Sequence, residues 1–364
     1  MIIGVPREIK ESETRVAVTP SGVSTLIRNG HTVLIEKGAG LASSFTDRIY
    51  RDAGATILSQ AVKIWKMADM IVKVKEPLAS EFKHFRPNLI IFTYLHLASV
   101  PPLARALCKK GVTAIGYETV ELSNGTLPLL VPMSEVAGKV ATQIGTRLLH
   151  RGGGPGKGLL LGGVTGTKRG VVTVVGGGVV GVNAAAVAVG LGAETVILDV
   201  REDRLQRLRS RFGGAVNVLM STPENIGVWV KKSDLIVGAV LVAGDKAPKV
   251  ITKKMLQTME PGSVIVDVAI DQGGCVETAK PTSHRNPTFI KYGVIHYCVP
   301  NMPALTPMTS TEALTSATLP YITKLASKGV DGATNEDTAL ALGLQIRGGH
   351  VVHPVIAKLF KSLA

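Results

Sequence analysis

The stretch that decides the fold is GVVTVVGGGVVGVNAAAVAVGLGAETVILDV, residues 170–200. A β-branched apolar run precedes its glycines, an alanine-rich run of helical length follows them, and a second apolar run ends at Asp199. This order is typical of a strand, a tight turn, a helix and a second strand. A strand–helix–strand unit of this kind predicts a mainly parallel sheet that is covered by helices.

The glycines of this stretch form a known phosphate-binding pattern. Gly176, Gly178 and Gly181 give G-x-G-x-x-G between the first strand and the helix. Glycine there permits a tight turn, lets the backbone approach a pyrophosphate, and points a helix N-terminus at negative charge. Asp199 follows at roughly the 20-residue interval at which a carboxylate binds the ribose hydroxyls. The pattern predicts NAD as the cofactor, in preference to NADP.

Two alternatives stay open at this motif. The glycines can form an ordinary turn, with Asp199 as the N-cap of the next helix. Arg201 and Arg204 lie close to Asp199 in the sequence, and an arginine can accept the 2′-phosphate of NADP. The NAD prediction therefore depends on the complete strand–turn–helix context, and the preference over NADP depends on Asp199.

The composition excludes several classes of protein. The 364 residues suffice for two domains, and 45% hydrophobic with 19% charged residues is typical of a globular chain. The net charge is +14, but the basic residues are dispersed and only 4% of residues are aromatic, which argues against nucleic-acid binding. The three cysteines lack metal-site spacing, and no apolar run fits a signal peptide or membrane span. We therefore expect a cytoplasmic protein with no metal, nucleic-acid or membrane partner.

Apolar runs and helical patterns alternate along the first third of the chain and again after the glycine motif. Two C-terminal stretches are predicted to form helices: TSTEALTSATLPYITKLAS and NEDTALALGLQIRGG. The second sheet alone cannot be covered by so many helices, so we expect the C-terminal stretches to return to the first domain. The predicted fold class is α/β, with two Rossmann-like doubly wound domains that have mainly parallel sheets and are separated by a cleft. The predicted domains are a discontinuous substrate and catalytic domain, residues 1–128 and 307–364, and an NAD-binding Rossmann domain, residues 129–306.

Four polar residues follow predicted strands. Arg15 comes after the first strand and its loop, Lys75 ends MIVKVK, His96 follows an apolar strand in FTYLHLAS, and Asp271 ends SVIVDVAID. In open α/β sheets, ligands bind beyond the carboxyl ends of the strands. Each residue also has an ordinary interpretation: a surface charge for the two cations, a core histidine, and a loop aspartate. Together they predict two cations for a small carboxylate, an imidazole for proton transfer, and an anion beside it.

Eight stretches, spread over nearly the whole chain, resemble one known family. They are MIIGVPREIKESETRVAVTP, KVKEP, FTYLHLA, GYETV, GGGVVG, DQGGCVET, HYCVPNMP and ATLPY. The family is alanine dehydrogenase, and the resemblance implies reversible NAD-dependent conversion of L-alanine to pyruvate and ammonium by a cytoplasmic homohexamer. The alternative is a transhydrogenase-like NAD(H)-binding subunit that does not turn over alanine; YLHLA together with DQGGCVET favours the alanine enzyme.

The resemblance also implies roles for particular residues. It implies substrate binding by Arg15 and Lys75, proton transfer by His96, and a second catalytic group in Asp271. Together with the glycine motif it predicts a set of cofactor-binding residues: Ser134, Gly176, Gly178, Val179, Val180, Gly181, Asp199, Arg204, Ser221, Val240, Leu241, Val268, Ala269, Ile270, Lys280, Val299, Pro300, Asn301 and Met302.

Three positions depart from the family pattern. Lys280 lies near a position where the family often has an arginine, and Ala304 and Met308 replace a glycine and an arginine after NMP. Arginine and lysine are not equivalent where a forked contact is needed. The departures bear on cofactor affinity and on the segment after the NAD-binding domain, and they leave the four substrate-site residues in place.

Overall fold

A computed structural model describes residues 1–152, 154–240, 247–360 and 363. The strands are β1 (Ile2–Val5), β2 (Thr32–Glu36), β3 (Thr56–Leu58), β4 (Met70–Val72), β5 (Ile90–Thr93), β6 (Thr113–Gly116), β7 (Val171–Val175), β8 (Glu194–Asp199), β9 (Asn217–Met220), β10 (Leu235–Gly238), β11 (Val264–Asp267), β12 (Thr288–Lys291), β13 (Val294–Tyr297), β14 (Leu344–Arg347) and β15 (His350–Val351). The helices are α1 (Pro20–Arg28), α2 (Asp47–Asp52), α3 (Ala61–Met67), α4 (Pro101–Lys109), α5 (Val131–Leu149), α6 (Val179–Gly190), α7 (Glu202–Phe212), α8 (Pro223–Lys232), α9 (Lys253–Leu256), α10 (Pro307–Glu336), α11 (Thr338–Gly343) and α12 (Pro354–Leu359).

The chain divides into two compact units, and each has its own sheet. Unit 1 comprises Met1–Met133 and Ala304–Ala364, and unit 2 comprises Ser134–Pro303. Unit 1 is therefore built from two segments that are far apart in the sequence, whereas unit 2 is one continuous segment.

The sheet of unit 1 has the strand order β15-β14-β6-β5-β4-β1-β2-β3. The strands from β6 to β3 are all parallel, and β14 and β15 extend the sheet in antiparallel pairing. The strand order reverses between β1 and β4, and such a switch point is where doubly wound sheets bind ligands. The carboxyl ends of β1, β4, β5 and β6 therefore decide what this unit can bind.

The second of the two predicted C-terminal helices is shorter than its pattern predicts. The stretch NEDTALALGLQIRGG was interpreted as one helix, but α11 ends at Gly343 and the next four residues form β14. Gln345 and Ile346 are fully buried where β14 pairs with β6. The helical interpretation of these residues was wrong because the open edge of β6 offers backbone hydrogen bonds that outweigh a weak local propensity.

The sheet of unit 2 has the strand order β12-β13-β11-β10-β7-β8-β9. All pairs are parallel except that of β12 with β13. The switch point lies between β7 and β10, so the glycine motif after β7 stands at the ligand-binding position of the sheet. Both units are thus doubly wound with mainly parallel sheets, and the predicted fold class is confirmed.

Apolar side chains on the covering helices are buried against each sheet. In unit 1, α4 begins at a proline and buries Leu103, Ala104 and Leu107, which recur at helical spacing. Full burial of each leucine stabilises the unit by about 1.5–3 kcal/mol. In unit 2, α6 buries Ala184, Ala185 and Ala188, and these small side chains let the helix lie close to the sheet. None of the described helices is long and apolar enough to cross a membrane.

Candidate functional site

The loops after β1, β4, β5 and β6 lie side by side because these strands are parallel and adjacent in the sheet. Seven of the charged and titratable side chains of these loops are called the polar edge: Lys10, Glu13, Arg15, Lys75, Glu76, His96 and Glu118. Three of the four predicted substrate-site residues, Arg15, Lys75 and His96, belong to it. The fourth, Asp271, belongs to unit 2.

Arg15 is held by an acidic neighbour in its own loop. Its side chain is 2% exposed, and its Nε and Nη2 donate to the two carboxylate oxygens of Glu13 at 2.7 and 2.5 Å. Its Nη1 donates to Met133 Sδ at 2.9 Å. Burial alone lowers the pKa of Arg15, but the hydrogen bonds and charge of Glu13 outweigh burial and raise it. The paired contact therefore fixes a permanent cation in one plane.

Lys75 was predicted to be the last residue of its strand, but it lies beyond the end of that strand. β4 ends at Val72, three residues before Lys75. Lys75 is half-buried, with Nζ 6.0 Å from the centre of the Tyr94 ring, and Thr93 Oγ1 donates to its carbonyl oxygen at 3.0 Å. The loop after β4 is therefore tied to β5, the strand that leads to His96.

Lys73 has a different environment, although it is only two residues from Lys75. It is 1% exposed, and its Nζ lies 3.2 Å from carboxylate oxygens of both Glu8 and Glu81. Burial alone lowers the pKa of Lys73, but the charges of Glu8 and Glu81 outweigh burial and raise it. Glu8 Oε1 also accepts the N–H of Val74 at 2.7 Å, so this ion triad joins the loops after β1 and β4.

His96 has a strained backbone and a shifted pKa. Its φ is 50°, in the left-handed region that residues other than glycine seldom adopt. Its ring stacks on Tyr94, with centroids 5.8 Å apart and an interplanar angle of 10°. Burial lowers the pKa of His96, and the charge of Glu118 opposes this without reversing it. The imidazole is therefore neutral at neutral pH and can accept a proton.

The prediction that Asp271 ends its strand was wrong, because β11 ends at Asp267. Asp267 is fully buried, and its two carboxylate oxygens each accept a backbone N–H at 3.1 Å, from Ala269 and Val276. The bond to Ala269 caps a short 3₁₀ helix, Val268–Gln272, that turns the chain out of the sheet. Asp271 lies in this 3₁₀ helix with its side chain exposed. Asp267 therefore binds its own loop, and Asp271 is accessible to solvent.

Two of the three motif glycines of unit 2, Gly176 and Gly181, have no room for a side chain. Gly176 has a φ of 104°, and a Cβ on it would lie 2.5 Å from the carbonyl oxygen of Ala239. A Cβ on Gly181 would lie 1.8 Å from the carbonyl oxygen of Gly176. A Cβ on Gly178 would meet no atom within 4 Å, and α6 begins at the next residue. The loop thus leaves open space in front of a helix N-terminus, which fits the pyrophosphate of a dinucleotide.

Asp199 ends β8 and binds the glycine loop. Its Oδ2 accepts the Gly177 N–H at 2.7 Å and pairs with Arg204 Nη1 at 2.9 Å, and its Oδ1 accepts the Arg201 N–H at 2.9 Å. The N-cap of α7 is Arg201, so the alternative of Asp199 as that N-cap was wrong. A carboxylate one strand from the glycine turn fits the ribose end of a dinucleotide.

Most other predicted cofactor residues share a position after a parallel strand of unit 2. Val179 and Val180 begin α6, Ser221 follows β9, Val240 follows β10, Val268, Ala269 and Ile270 follow β11, and Val299, Pro300, Asn301 and Met302 follow β13. Ser134 lies instead in α5, and Lys280 is exposed, with its Nζ 4.7 Å from the centre of the Phe289 ring. Leu241 lies outside the described residues.

The sequence interpretation missed the acidic residues that hold the polar edge. Glu13 stands two residues before Arg15, and Glu118 stands two residues after β6, in the stretch GYETV. Both positions follow strands of the same sheet edge, so the argument applied to Arg15 and His96 also points to them. Gln345 gives no such signal, because its contact with Glu118 is made across a strand pairing.

Two family models together match nearly the whole chain. The model described as alanine dehydrogenase/PNT, N-terminal domain, matches residues 4–137, and the model for the C-terminal domain matches residues 141–354. The chain belongs to the alanine dehydrogenase/PNT family. The family that its motifs indicated is thereby confirmed.

Curated relatives of this alanine dehydrogenase/PNT family member are similar over nearly their whole length. The chain is 55% identical over 359 residues to alanine dehydrogenase of Bacillus subtilis (strain 168), covering 98% of this chain and 94% of that protein. It is 52% identical over 362 residues to alanine dehydrogenase 2 of Staphylococcus aureus (strain USA300), with coverages of 99% and 97%. These relatives favour the alanine dehydrogenase interpretation over the transhydrogenase-like alternative.

Solved structures give the same family and fold. A structure described as L-alanine dehydrogenase superposes with a TM-score of 0.97, 49% identity and full coverage of both chains. A transhydrogenase from Sinorhizobium meliloti superposes with a TM-score of 0.86 at 24% identity, covering 97% of this chain and all of that chain. The second match shows a shared fold only.

Proposed function

We propose that this family member is an oxidoreductase that catalyses the reversible, NAD-dependent oxidative deamination of L-alanine to pyruvate and ammonium. The observation that carries the proposal is the polar edge, where the fixed guanidinium of Arg15, the half-buried side chain of Lys75 and the imidazole of His96 follow neighbouring strands. Relatives with more than half of their residues identical are named alanine dehydrogenase, which supports the same reaction.

Unit 1 is proposed as the substrate and catalytic domain, and unit 2 as the NAD-binding domain. The glycine turn, the open space at Gly178 and the N-terminus of α6 are proposed to hold the pyrophosphate, and Asp199 the ribose hydroxyls. NAD, when bound, supplies a two-electron hydride acceptor. The preference for NAD over NADP is proposed because a carboxylate repels a 2′-phosphate, and Arg204 beside it is already paired with that carboxylate.

Arg15 and Lys75 are proposed to bind the substrate carboxylate. Arg15 offers a charge whose plane is fixed by Glu13, and Lys75 offers a compact point charge on a flexible aliphatic side chain. Two cations on one carboxylate fix the position of the adjacent α-carbon. This orientation lowers the entropic part of the barrier.

His96 and Asp271 are proposed to handle the protons. The keto oxygen of pyruvate comes from water that adds to the C=N carbon of iminoalanine. The unprotonated ring nitrogen of His96 can take the proton that this water loses. The imidazolium can return the proton as ammonia leaves. Asp271, with its exposed carboxylate, is proposed as the second catalytic group, which orients water and assists loss of ammonia.

Assembly as a homohexamer and location in the cytoplasm are also proposed, because the resembling family has these properties. The proposal includes no metal and no nucleic-acid or membrane partner. Among the described residues, no group of three or more His, Cys, Asp and Glu side chains has the geometry of a metal site.

The test is formation of NADH by the purified protein with L-alanine and NAD⁺ at alkaline pH, where the amine is neutral. Parallel reactions contain NADP⁺ in place of NAD⁺, and D-alanine in place of L-alanine. The expected result is NADH only with L-alanine and NAD⁺. No turnover in this direction, and none from pyruvate, ammonium and NADH, would contradict the proposal and favour a subunit that only binds NAD(H).

A further inference from the structure

The backbone of His96 needs outside support. A left-handed conformation at a residue with a Cβ costs free energy, and it persists only where neighbouring groups hold it. The ring stacks on Tyr94, but this contact holds the ring and not the peptide. The His96 carbonyl oxygen accepts the N–H groups of Ser99 and Val100, which holds the turn on its far side, so the near side depends on what binds the N–H groups that enter the turn.

Glu118 provides this support. Its Oε1 accepts the His96 N–H at 2.9 Å, and its Oε2 accepts the Leu95 N–H at 3.1 Å. Two successive N–H groups that converge on one carboxylate fix the turn between β5 and the residues that follow. Glu118 can make both bonds because β6, the strand before it, is the parallel neighbour of β5.

Gln345 in turn holds Glu118. Its side chain is fully buried on β14, and its Nε2 donates to Glu118 Oε1 and to Thr119 Oγ1, both at 3.1 Å. A Cβ on Gly116 would lie 2.0 Å from this Nε2, so β6 accommodates the amide only because a glycine stands there. Gln345 Oε1 is buried with no hydrogen-bond partner among the described residues, which an apolar side chain would avoid.

We propose that Glu118 and Gln345 are positioning residues for His96: the carboxylate clamps the left-handed turn, and the buried amide holds the carboxylate. The inference rests on the proposed function of His96 in proton transfer. It assigns a role in the reaction to a residue of the C-terminal segment, which carries none of the predicted site residues.

Charged groups from several loops face His96, and their charges affect its pKa. Glu118 follows β6, Lys75 and Glu76 follow β4, and Lys10 lies in the loop after β1. After burial, the charge of Glu118 is the strongest influence on the pKa of His96, and it raises that pKa. Glu118→Gln removes the charge and keeps one acceptor oxygen; at the Oε1 position, this oxygen lies within hydrogen-bond distance of the N–H groups of both His96 and Leu95. The pKa of His96 is therefore expected to fall further below its ordinary value.

Two variants separate charge from position. Glu118→Gln is expected to lower the pKa of His96. The acid limb of the pH dependence of kcat is expected to shift to lower pH by the same amount. Gln345→Met removes the amide and keeps the carboxylate charge; kcat is expected to fall about tenfold, as for a slightly misplaced group, with the pKa of His96 unchanged. The KM for L-alanine is expected to stay within about twofold in both, because Arg15 and Lys75 are untouched.

The measurements are steady-state kinetics across pH and NMR titration of the His96 ring proton in cofactor-free protein, assigned with His96→Asn. Glu121→Gln, an exposed change in the same loop, is the control and is expected to alter neither. An unmoved His96 titration in Glu118→Gln, or unchanged kcat in folded Gln345→Met, overturns the inference. If the wild-type protein does not deaminate alanine while the titration still shifts, the proposed function fails and the clamp stands.

Discussion

The two units have the same order of parallel strands around their switch points, but they use different atoms there. Unit 1 places charged side chains after its strands, with Arg15, Lys75 and His96 at the polar edge. Unit 2 places glycines and backbone N–H groups at the same position. The comparison teaches that strand order fixes where a ligand can bind, and the residues after the strands decide its chemistry.

The difference also predicts how each unit fails. Side chains at the polar edge can be removed one at a time, and the effect depends on whether the lost charge was buried with partners. In unit 2 the backbone itself is the proposed binding surface, so an added methyl group is expected to damage fold and binding together. Each of the following changes breaks or sharpens this comparison.

The largest effect is expected for Lys73→Met, with Lys75→Met as its matched control. Lys73→Met leaves Glu8 and Glu81 buried without a cation, and is expected to lower the free energy of unfolding by about 3–5 kcal/mol. Lys75→Met, at a half-buried position, is expected to cost less than a third of that. Urea unfolding of both variants measures the difference; equal losses would show that burial does not distinguish the two lysines.

Next is Gly181→Ala, compared with Gly190→Ala at the end of the same helix. The methyl group at 181 would meet the carbonyl oxygen of Gly176 at 1.8 Å, and we expect a loss of about 3 kcal/mol in stability together with loss of NAD binding. At 190 it would meet no atom within 4 Å, and stability is expected to rise by about 0.4–1 kcal/mol. Thermal unfolding and calorimetric titration with NAD⁺ provide both values; tight NAD binding by Gly181→Ala would refute the backbone argument.

His96→Ala and Asp271→Asn are expected to lower kcat by about 10²-fold each, the usual range for a proton-transfer group. Their folds should be retained, because the His96 ring is stacked at a loop and Asp271 is exposed. Steady-state rates of alanine oxidation test this. Near-normal turnover in either variant would remove that residue from the proposed mechanism.

The smallest effect is expected for Lys75→Met on substrate affinity. Loss of one of two cations is expected to raise the KM for pyruvate about tenfold, while NAD⁺ binding to unit 2 stays unchanged. Initial rates with pyruvate varied at saturating NADH and ammonium, and separate NAD⁺ titrations, measure these two quantities. A change in NAD⁺ affinity with an unchanged KM for pyruvate would contradict the proposed role of Lys75 in substrate binding.

The fold could be predicted from the sequence because its signals are local. The glycine motif lies between a strand and a helix that are both contiguous with it, and apolar runs identify the neighbouring strands. Arg15, Lys75 and His96 were found by one geometric rule, that residues after parallel strands meet at one edge. That rule needs only the approximate end of each strand.

The exact end of a strand was the harder question. In VDVAIDQ the apolar alternation continues past Asp267, but this side chain accepts the N–H two residues ahead and turns the chain, so Asp271 is exposed. The strand β14 and the contact of Gln345 with Glu118 were missed for a related reason. Both depend on pairing between residues more than two hundred positions apart, which no local pattern contains.

The position of β14 in the chain has a consequence for synthesis. Unit 2 is complete when Pro303 has been made, whereas unit 1 waits for its second segment although its first was made earlier. Domains fold as units during translation, so unit 2 closes first and unit 1 last. Gln345 leaves the ribosome only after all of unit 2 has been made. A nascent chain therefore contains the whole glycine motif well before Gln345 can bind Glu118.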